Sequence, residues 1–319
     1  MDLTTLYLCV GFALASYSVI ANDSVQTLGT WIASNSEKFK WQQMWIAASS
    51  VLLFTLWYGW YVNGGDISYG RLNKIPWQPI QWYHAVAPLI LVILTRFGVP
   101  VSTTFLVLSA FASTVVLEKV LMKSALGYMV AAAAAYLIWM VVAKYWEAKT
   151  DIPKEHDKWW RVAQWCTTGW LWFTWLSHDM ANIAVYLPRE VPMEVMVLIS
   201  IVFVGGMGYM FYEKGGKIQE VVLSKTNTKY VRSATLVDLI YSLILWYFKG
   251  YNDIPMSTTW VFVGLLAGRE LAFATITGKY KFKTVFPLIG KDFFKMMIGL
   301  SLSVVIVMLI HGFSGFANM

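Results

Sequence analysis

Two short polar motifs occur twice in the same order, and that repetition constrains the fold more than any other feature. The first is Asn22-Asp23-Ser24, at the end of the opening apolar run; its counterpart is the stretch Ser177-His178-Asp179-Met180-Ala181-Asn182. The second is PVSTT, from Pro100 to Thr104, answered by PMSTT from Pro255 to Thr259. Asp23 precedes Ser102 by 79 positions, and Asp179 precedes Ser257 by 78. Two unlike motifs at nearly equal separation indicate a duplicated unit, with one repeat over 1–150 and a second over 151–319.

The unit is a membrane one. Of the 319 residues 58% are hydrophobic and 13% charged, where a soluble domain carries about 25% charged residues. Apolar runs fall near 5–22, 42–62, 84–97, 101–117 and 125–143, then near 163–187, 194–212, 234–249, 256–275 and 293–312. About ten such segments predict an all-α polytopic membrane protein. No basic region precedes the first run, so a cleaved signal peptide is not expected. The net charge of +7 sits in short loops, the pattern of cytoplasmic membrane loops and not of a nucleic-acid surface. Cys9 and Cys166 have neither metal-ligand nor redox spacing. No Walker or HExxH pattern points to ATP hydrolysis or metalloprotease chemistry.

Residues 84–97 are too short to span the roughly 30 Å apolar layer as a helix, and the chain is broken at Gly98 and Pro100 and again at Asn252, Asp253 and Pro255. Each broken pair is therefore a re-entrant hairpin or a discontinuous crossing. Either count gives each repeat an odd number of crossings, so the two repeats must be inverted. With both termini outside, 17 Lys and Arg fall in cytoplasmic loops and 5 outside, which favours that orientation. Inverted repeats with broken helices are a transporter architecture.

The STT triplets follow Pro and are expected to open apolar helices. Helix N-termini with added hydroxyls suit an oxyanion, so Ser102, Thr103, Thr104, Ser257, Thr258 and Thr259 are the candidate anion ligands. Asp23 and Asp179 would repel that anion unless cations or protons accompany it; at 4 Å and an effective dielectric near 20, each unit pair costs about 4 kcal/mol. Asn22, Ser24, Gln26 and Asn182, with the two aspartates, supply hard oxygen ligands of the kind that suit sodium. His178 is either a core hydrogen-bonding residue or a group that shapes pH dependence. Glu118-Lys119 and Arg269-Glu270 are expected as interfacial anchors or local ion pairs, and His84, His156 and His311 as incidental.

These motifs resemble those of the inorganic phosphate transporter (PiT) family, which carries a GANDVANA-like signature in each half followed by a Pro-x-Ser-Thr-Thr helix start. Here the signatures read IANDSVQT, from Ile20 to Thr27, and LSHDMANI, from Leu176 to Ile183. The family's aspartates fall on Asp23 and Asp179; its first amide falls on Asn22 but is replaced by His178, and its second is replaced by Gln26 but kept as Asn182. The resemblance implies phosphate uptake into the cell across the plasma or inner membrane, by symport with sodium or protons and alternating access, and it allows a homodimer. Phosphate still bears a proton at neutral pH and can donate to a carboxylate, whereas sulfate cannot, so two aspartates favour phosphate. A proton-coupled phosphate or sulfate permease, and a non-transporting receptor on the same fold, stay open as alternatives.

Overall fold

The computed structural model describes residues 2–99, 101–142, 154–223, 230–277 and 282–317. Pro100 and the repeat boundary at 150 lie outside the described residues, as do the side chains of His156 and His311. The described chain is helical throughout, with seven helical stretches long and apolar enough to cross a membrane, and it is a multi-pass membrane protein. Large apolar side chains such as Phe54, Ile201, Leu137 and Met308 are exposed on its outer faces. That arrangement suits lipid, which solvates them at no cost.

The chain opens with α1 (Leu3–Ser18), which widens into a π-helical turn at Val19–Asp23 and continues as α2 (Ser24–Asn35). Next come α3 (Trp41–Val62), a partly buried connection, and the short α4 (Val86–Arg96). At 11 residues α4 extends about 16 Å, half an apolar layer. It ends where Gly98 takes a positive φ of 67°, with Val99 N–H donating to Leu94 O and Gly98 N–H to Thr95 O. This cap closes the helix in a conformation that only glycine takes without strain.

The chain then turns back. A π-helical turn at Thr104–Leu108 leads to Phe111, whose ring stacks on His84 at 4.3 Å. The segment thus returns to the end of the bundle from which α4 departed: it is a re-entrant hairpin, not a broken crossing. The expected helices over 101–117 and 125–143 are corrected here. The first is a single wide turn, and one long helix, α5 (Thr114–Val142), takes the rest.

The second half comprises α6 (Lys154–Asp179), the short α7 (Ala181–Ala184), α8 (Met193–Tyr212) and α9 (Gly216–Leu223). They are followed by α10 (Val231–Tyr251), α11 (Thr258–Thr277) and α12 (Phe282–Ala317). Helices α10 and α6 run side by side in the same direction, with Thr235 bonded to Trp160 O, Thr168 to Asp238, and His178 to Leu245 O. From its tip the chain comes back as α11, which ends beside the start of α10 where Arg269 Nη2 donates to Ser233 Oγ at 3.0 Å. The second hairpin therefore enters from the end opposite the first. Along α5 it packs backbone to backbone: a Cβ on Gly264 would meet Tyr128 O at 2.4 Å, and one on Gly268 would meet Ala132 O at 2.0 Å.

Arg269 is not an interfacial anchor. It is fully buried between the rings of Trp139 and Phe273, with Glu270 also buried, whereas Glu118 and Lys119 are exposed near the start of α5.

Candidate functional site

The tips of the two hairpins meet between the two helix interruptions that carry Asp23 and Asp179. Asp23 closes the π-helical turn, a local widening that frees backbone groups and recurs at functional positions. Asp179 ends α6, and Met180 separates it from the short α7. Both carboxylates are buried, Asp23 at 3% and Asp179 at 1% exposure. Asp23 feels the charge of Asp179, and the buried phenol of Tyr241 feels both. The three side chains belong to one buried polar cluster, the chamber.

Around Asp179 the donors come from three elements. Thr258, at the start of α11, gives its hydroxyl to Oδ2 at 2.6 Å. Thr104, from the first hairpin, gives its hydroxyl to Oδ1 at 3.2 Å, and Asn182 Nδ2 lies 3.3 Å from the same oxygen. Thr258 is itself fixed, since Trp175 Nε1 donates to its hydroxyl at 3.1 Å and Tyr241 OH donates to its carbonyl at 2.9 Å. Trp175 stacks on Trp172 at 5.1 Å, so that donor is held by the surrounding packing.

Around Asp23 the partners are local. Asn22 Nδ2 donates to Asp23 Oδ1 at 2.6 Å and to Val101 O at 2.8 Å, while Gln26 Nε2 donates to Asn22 Oδ1 at 2.9 Å. Ser24 bonds back to Val19 O at 3.0 Å, inside the widened turn. Thr103 stands beside the Asp23 carboxylate, but its hydroxyl meets no hydrogen-bond geometry.

The two triplets differ in form. Ser102 Oγ accepts from Phe105 N–H, and Ser257 Oγ from Trp260 N–H, each at 3.2 Å, so both serines cap a helix start. Only Ser257 caps a full helix; Ser102 caps the wide turn. Thr259 reaches the first hairpin, with Oγ1 3.4 Å from Val101 O.

Three buried polar atoms of this cluster have no hydrogen-bond partner among the described residues: Gln26 Oε1, Asn182 Oδ1 and Thr103 Oγ1. A buried amide oxygen without a donor costs about 1–3 kcal/mol. Such oxygens, one near each carboxylate, form a donor set that fits a small hard cation.

His178 sits next to Asp179 yet points elsewhere, with Nε2 2.7 Å from Leu245 O on α10. A carbonyl only accepts, so Nε2 carries the proton and His178 ties α6 to α10. His84 is buried rather than incidental: Nδ1 accepts from Gln81 N–H at 2.8 Å, its ring covers Phe111, and its carbonyl accepts from Tyr186 OH at 2.8 Å. These contacts close one end of the chamber.

Sequence reasoning missed Tyr241, Trp175 and a basic pair, Arg71 and Lys123. Arg71 is 1% exposed and Lys123 5% exposed. Both belong to the five Lys and Arg that the charge tally places outside, Arg71, Lys74, Lys119, Lys123 and Arg189, and their setting emerges only from tertiary packing. Arg71 lies in the 63–81 connection, outside the spanning helices. Burial pushes its guanidinium down to about 10, opposed by Asp253 and Asp179, so it stays charged at neutral pH.

Opposite the closed end, a cavity of about 210 Å³ runs from Glu213 and Lys217 past Tyr17 and Arg96 to Ile20 and Ala21, beside Asn22. At that end α2 and α6 are clasped: Asn35 Nδ2 donates to Gln164 Oε1 at 2.9 Å, and Arg161 Nη1 donates to Asn35 Oδ1 at 3.0 Å. One turn deeper, the Asp238 carboxylate on α10 accepts from Thr30 at 2.6 Å and from Thr168.

No protein-family profile and no curated protein matches the chain. A solved structure titled "The sodium-dependent phosphate transporter" superposes with a TM-score of 0.64 at 14% identity, over 99% of this chain and 100% of that one. At that identity the likeness shows a shared fold.

Proposed function

We propose that this chain imports inorganic phosphate across the cell membrane by symport with sodium, alternating access between the two ends of the bundle. The observation that carries the proposal is the pair of orphaned amide oxygens, Gln26 Oε1 and Asn182 Oδ1, beside two buried carboxylates in a hydroxyl-lined chamber. Donor-free oxygens call for cations, and the cations in turn admit an oxyanion. Thr103, Thr104, Thr258 and Thr259, with the capped turns at Ser102 and Ser257, hold the phosphate oxygens. Asp23 and Asp179 take cations together with Asn22, Ser24, Gln26 and Asn182, and accept from the phosphate's own proton. The solved neighbour's title, a sodium-dependent phosphate transporter, agrees with this reading.

Two hairpins entering from opposite ends support an inverted duplication with halves at 1–150 and 151–319. Removing the buried Arg71 and Lys123 from the external charge tally sharpens the bias that puts the His84 end, and both termini, outside. The chamber is then closed toward the outside by His84, Phe111 and Tyr186. The clasp of Asn35, Arg161 and Gln164 guards the inside.

The test is labelled phosphate uptake into proteoliposomes with an inward sodium gradient, against choline at fixed pH. Uptake that follows sodium supports the proposal. Uptake that is equal in choline and follows a proton gradient replaces sodium with protons. No flux in either condition sinks the transporter reading.

A further inference from the structure

Two buried cations grip the tip of the second hairpin from the outside-facing half of the bundle. Arg71 Nη1 donates to Asn252 O at 2.6 Å, and Nη2 lies 3.3 Å from Lys249 O. Lys123 Nζ donates to Asn252 O at 3.0 Å, to Asn252 Oδ1 at 2.8 Å and to Ile254 O at 2.8 Å. These carbonyls end α10 and begin the 252–257 strap, so both charges sit at the negative pole of a helix. Lys249 turns its own ammonium over the rings of Tyr69 and Phe173.

The strap leads straight into the candidate site. Its Met256 carbonyl lies 3.3 Å from Thr104 Oγ1, and Ser257 N–H donates to Ser124 Oγ, next to Lys123 on α5, at 2.8 Å. The residue after the strap is Thr258, bonded to Asp179.

Among the described residues no carboxylate stands at ion-pair distance from Arg71 or Lys123. Burying a cation without an anionic contact partner is costly, and it persists where some other charge answers it. The acids in electrostatic reach of Arg71 are Asp179 and the exposed Asp253. Carbonyls accept from Arg71 Nη1 and Nη2 and from Lys123 Nζ, while the buried Arg71 Nε meets no acceptor among the described residues. The charge of Arg71 is answered by Asp253 and, within the candidate site, by Asp179.

We propose that Arg71 is a positioning and specificity-determining residue whose permanent charge, held with Lys123 at the hairpin tip, offsets Asp179 and takes over part of the work of a coupling cation. This rests on the phosphate-symport reading above. A fixed positive charge beside the chamber repels sodium and attracts phosphate, so removing it moves the two affinities in opposite directions. A residue that merely held the hairpin would, when lost, weaken both.

The experiment is sodium- and phosphate-dependent thermal stabilisation of the purified full-length protein in nanodiscs. R71Q is expected to bind sodium several-fold more tightly without phosphate, and to bind phosphate about tenfold more weakly at saturating sodium. R71K retains the charge and should restore both to within about threefold. K123Q reports the same pair of opposite shifts if R71Q does not accumulate in the membrane. Loss of both affinities together, or no change in either, overturns the inference while the transporter reading stands. A wild-type chain that responds to neither sodium nor phosphate overturns that reading first.

Discussion

Thr258 gives its hydroxyl to Asp179 at 2.6 Å across 79 positions of chain, and the same hydroxyl accepts from Trp175. A hydrogen bond to a charged partner is worth about 1.5–3 kcal/mol. Thr258→Ala is therefore expected to raise the phosphate concentration for half-maximal uptake at least tenfold, whereas Thr258→Ser stays near wild type. Asp23→Asn and Asp179→Asn should abolish cation-coupled uptake with normal amounts of protein in the membrane. Near-normal sodium-dependent transport in both Asn variants would defeat the site assignment.

Gln26 and Asn182 carry buried amide oxygens that no donor among the described residues meets. If those oxygens ligate the coupling cation, Gln26→Leu and Asn182→Leu should each shift half-saturating sodium upward by about tenfold. Phosphate affinity measured at saturating sodium should change far less. A shift confined to phosphate would reassign both residues to the anion.

The α5 and α11 pair tolerates no side chain at its crossing. A Cβ on Gly268 would stand 2.0 Å from Ala132 O, which is backbone and cannot swing aside. Overpacking of this kind costs about 1–3 kcal/mol or more. Gly268→Val should lower the thermal midpoint in detergent and broaden the size-exclusion peak, and Gly290→Ala, with open space at its Cβ, serves as the control.

A pH effect on stability should come from Asp157, at the membrane-edge end of α6. Burial works to raise its pKa, but the bonds from Lys38 and Arg161 outweigh it and hold the carboxyl below the ordinary aspartate range. The folded value is the lower one, so the stabilisation is present above the unfolded value and disappears as pH falls through the folded value. Asp157→Asn should therefore lower the thermal midpoint at pH 7 and lose its effect as pH falls through the folded value. An equal cost at both pH values would assign the residue a packing role.

Asp23, Asp179 and the STT triplets were legible because each unusual polar stretch recurs, and recurrence at matched spacing is visible without coordinates. The hairpins were half legible: Gly98 marked a break, but whether the chain crossed or turned back depended on the His84–Phe111 stack. The run over 101–117 misled because Phe105 to Phe111 is apolar enough for a helix, while the fold spends it on one wide turn and a return. Arg71 and Lys123 looked like loop charges since nothing in their neighbourhood foretells three distant carbonyls. His178 was ambiguous on sequence, and its bond to Leu245 O was set by how α6 and α10 run together.

Val101 offers one carbonyl oxygen to both sides of the chamber, to Asn22 at 2.8 Å and to Thr259 at 3.4 Å. The unwound helix and the two hairpin tips therefore share a single atom as a hinge pin. Neither tip can swing without loosening the other's grip, which disfavours a state in which both doors stand ajar and ions run through unescorted. A leak current appearing on Thr259→Val, with substrate binding preserved, would be the signature of that lost interlock.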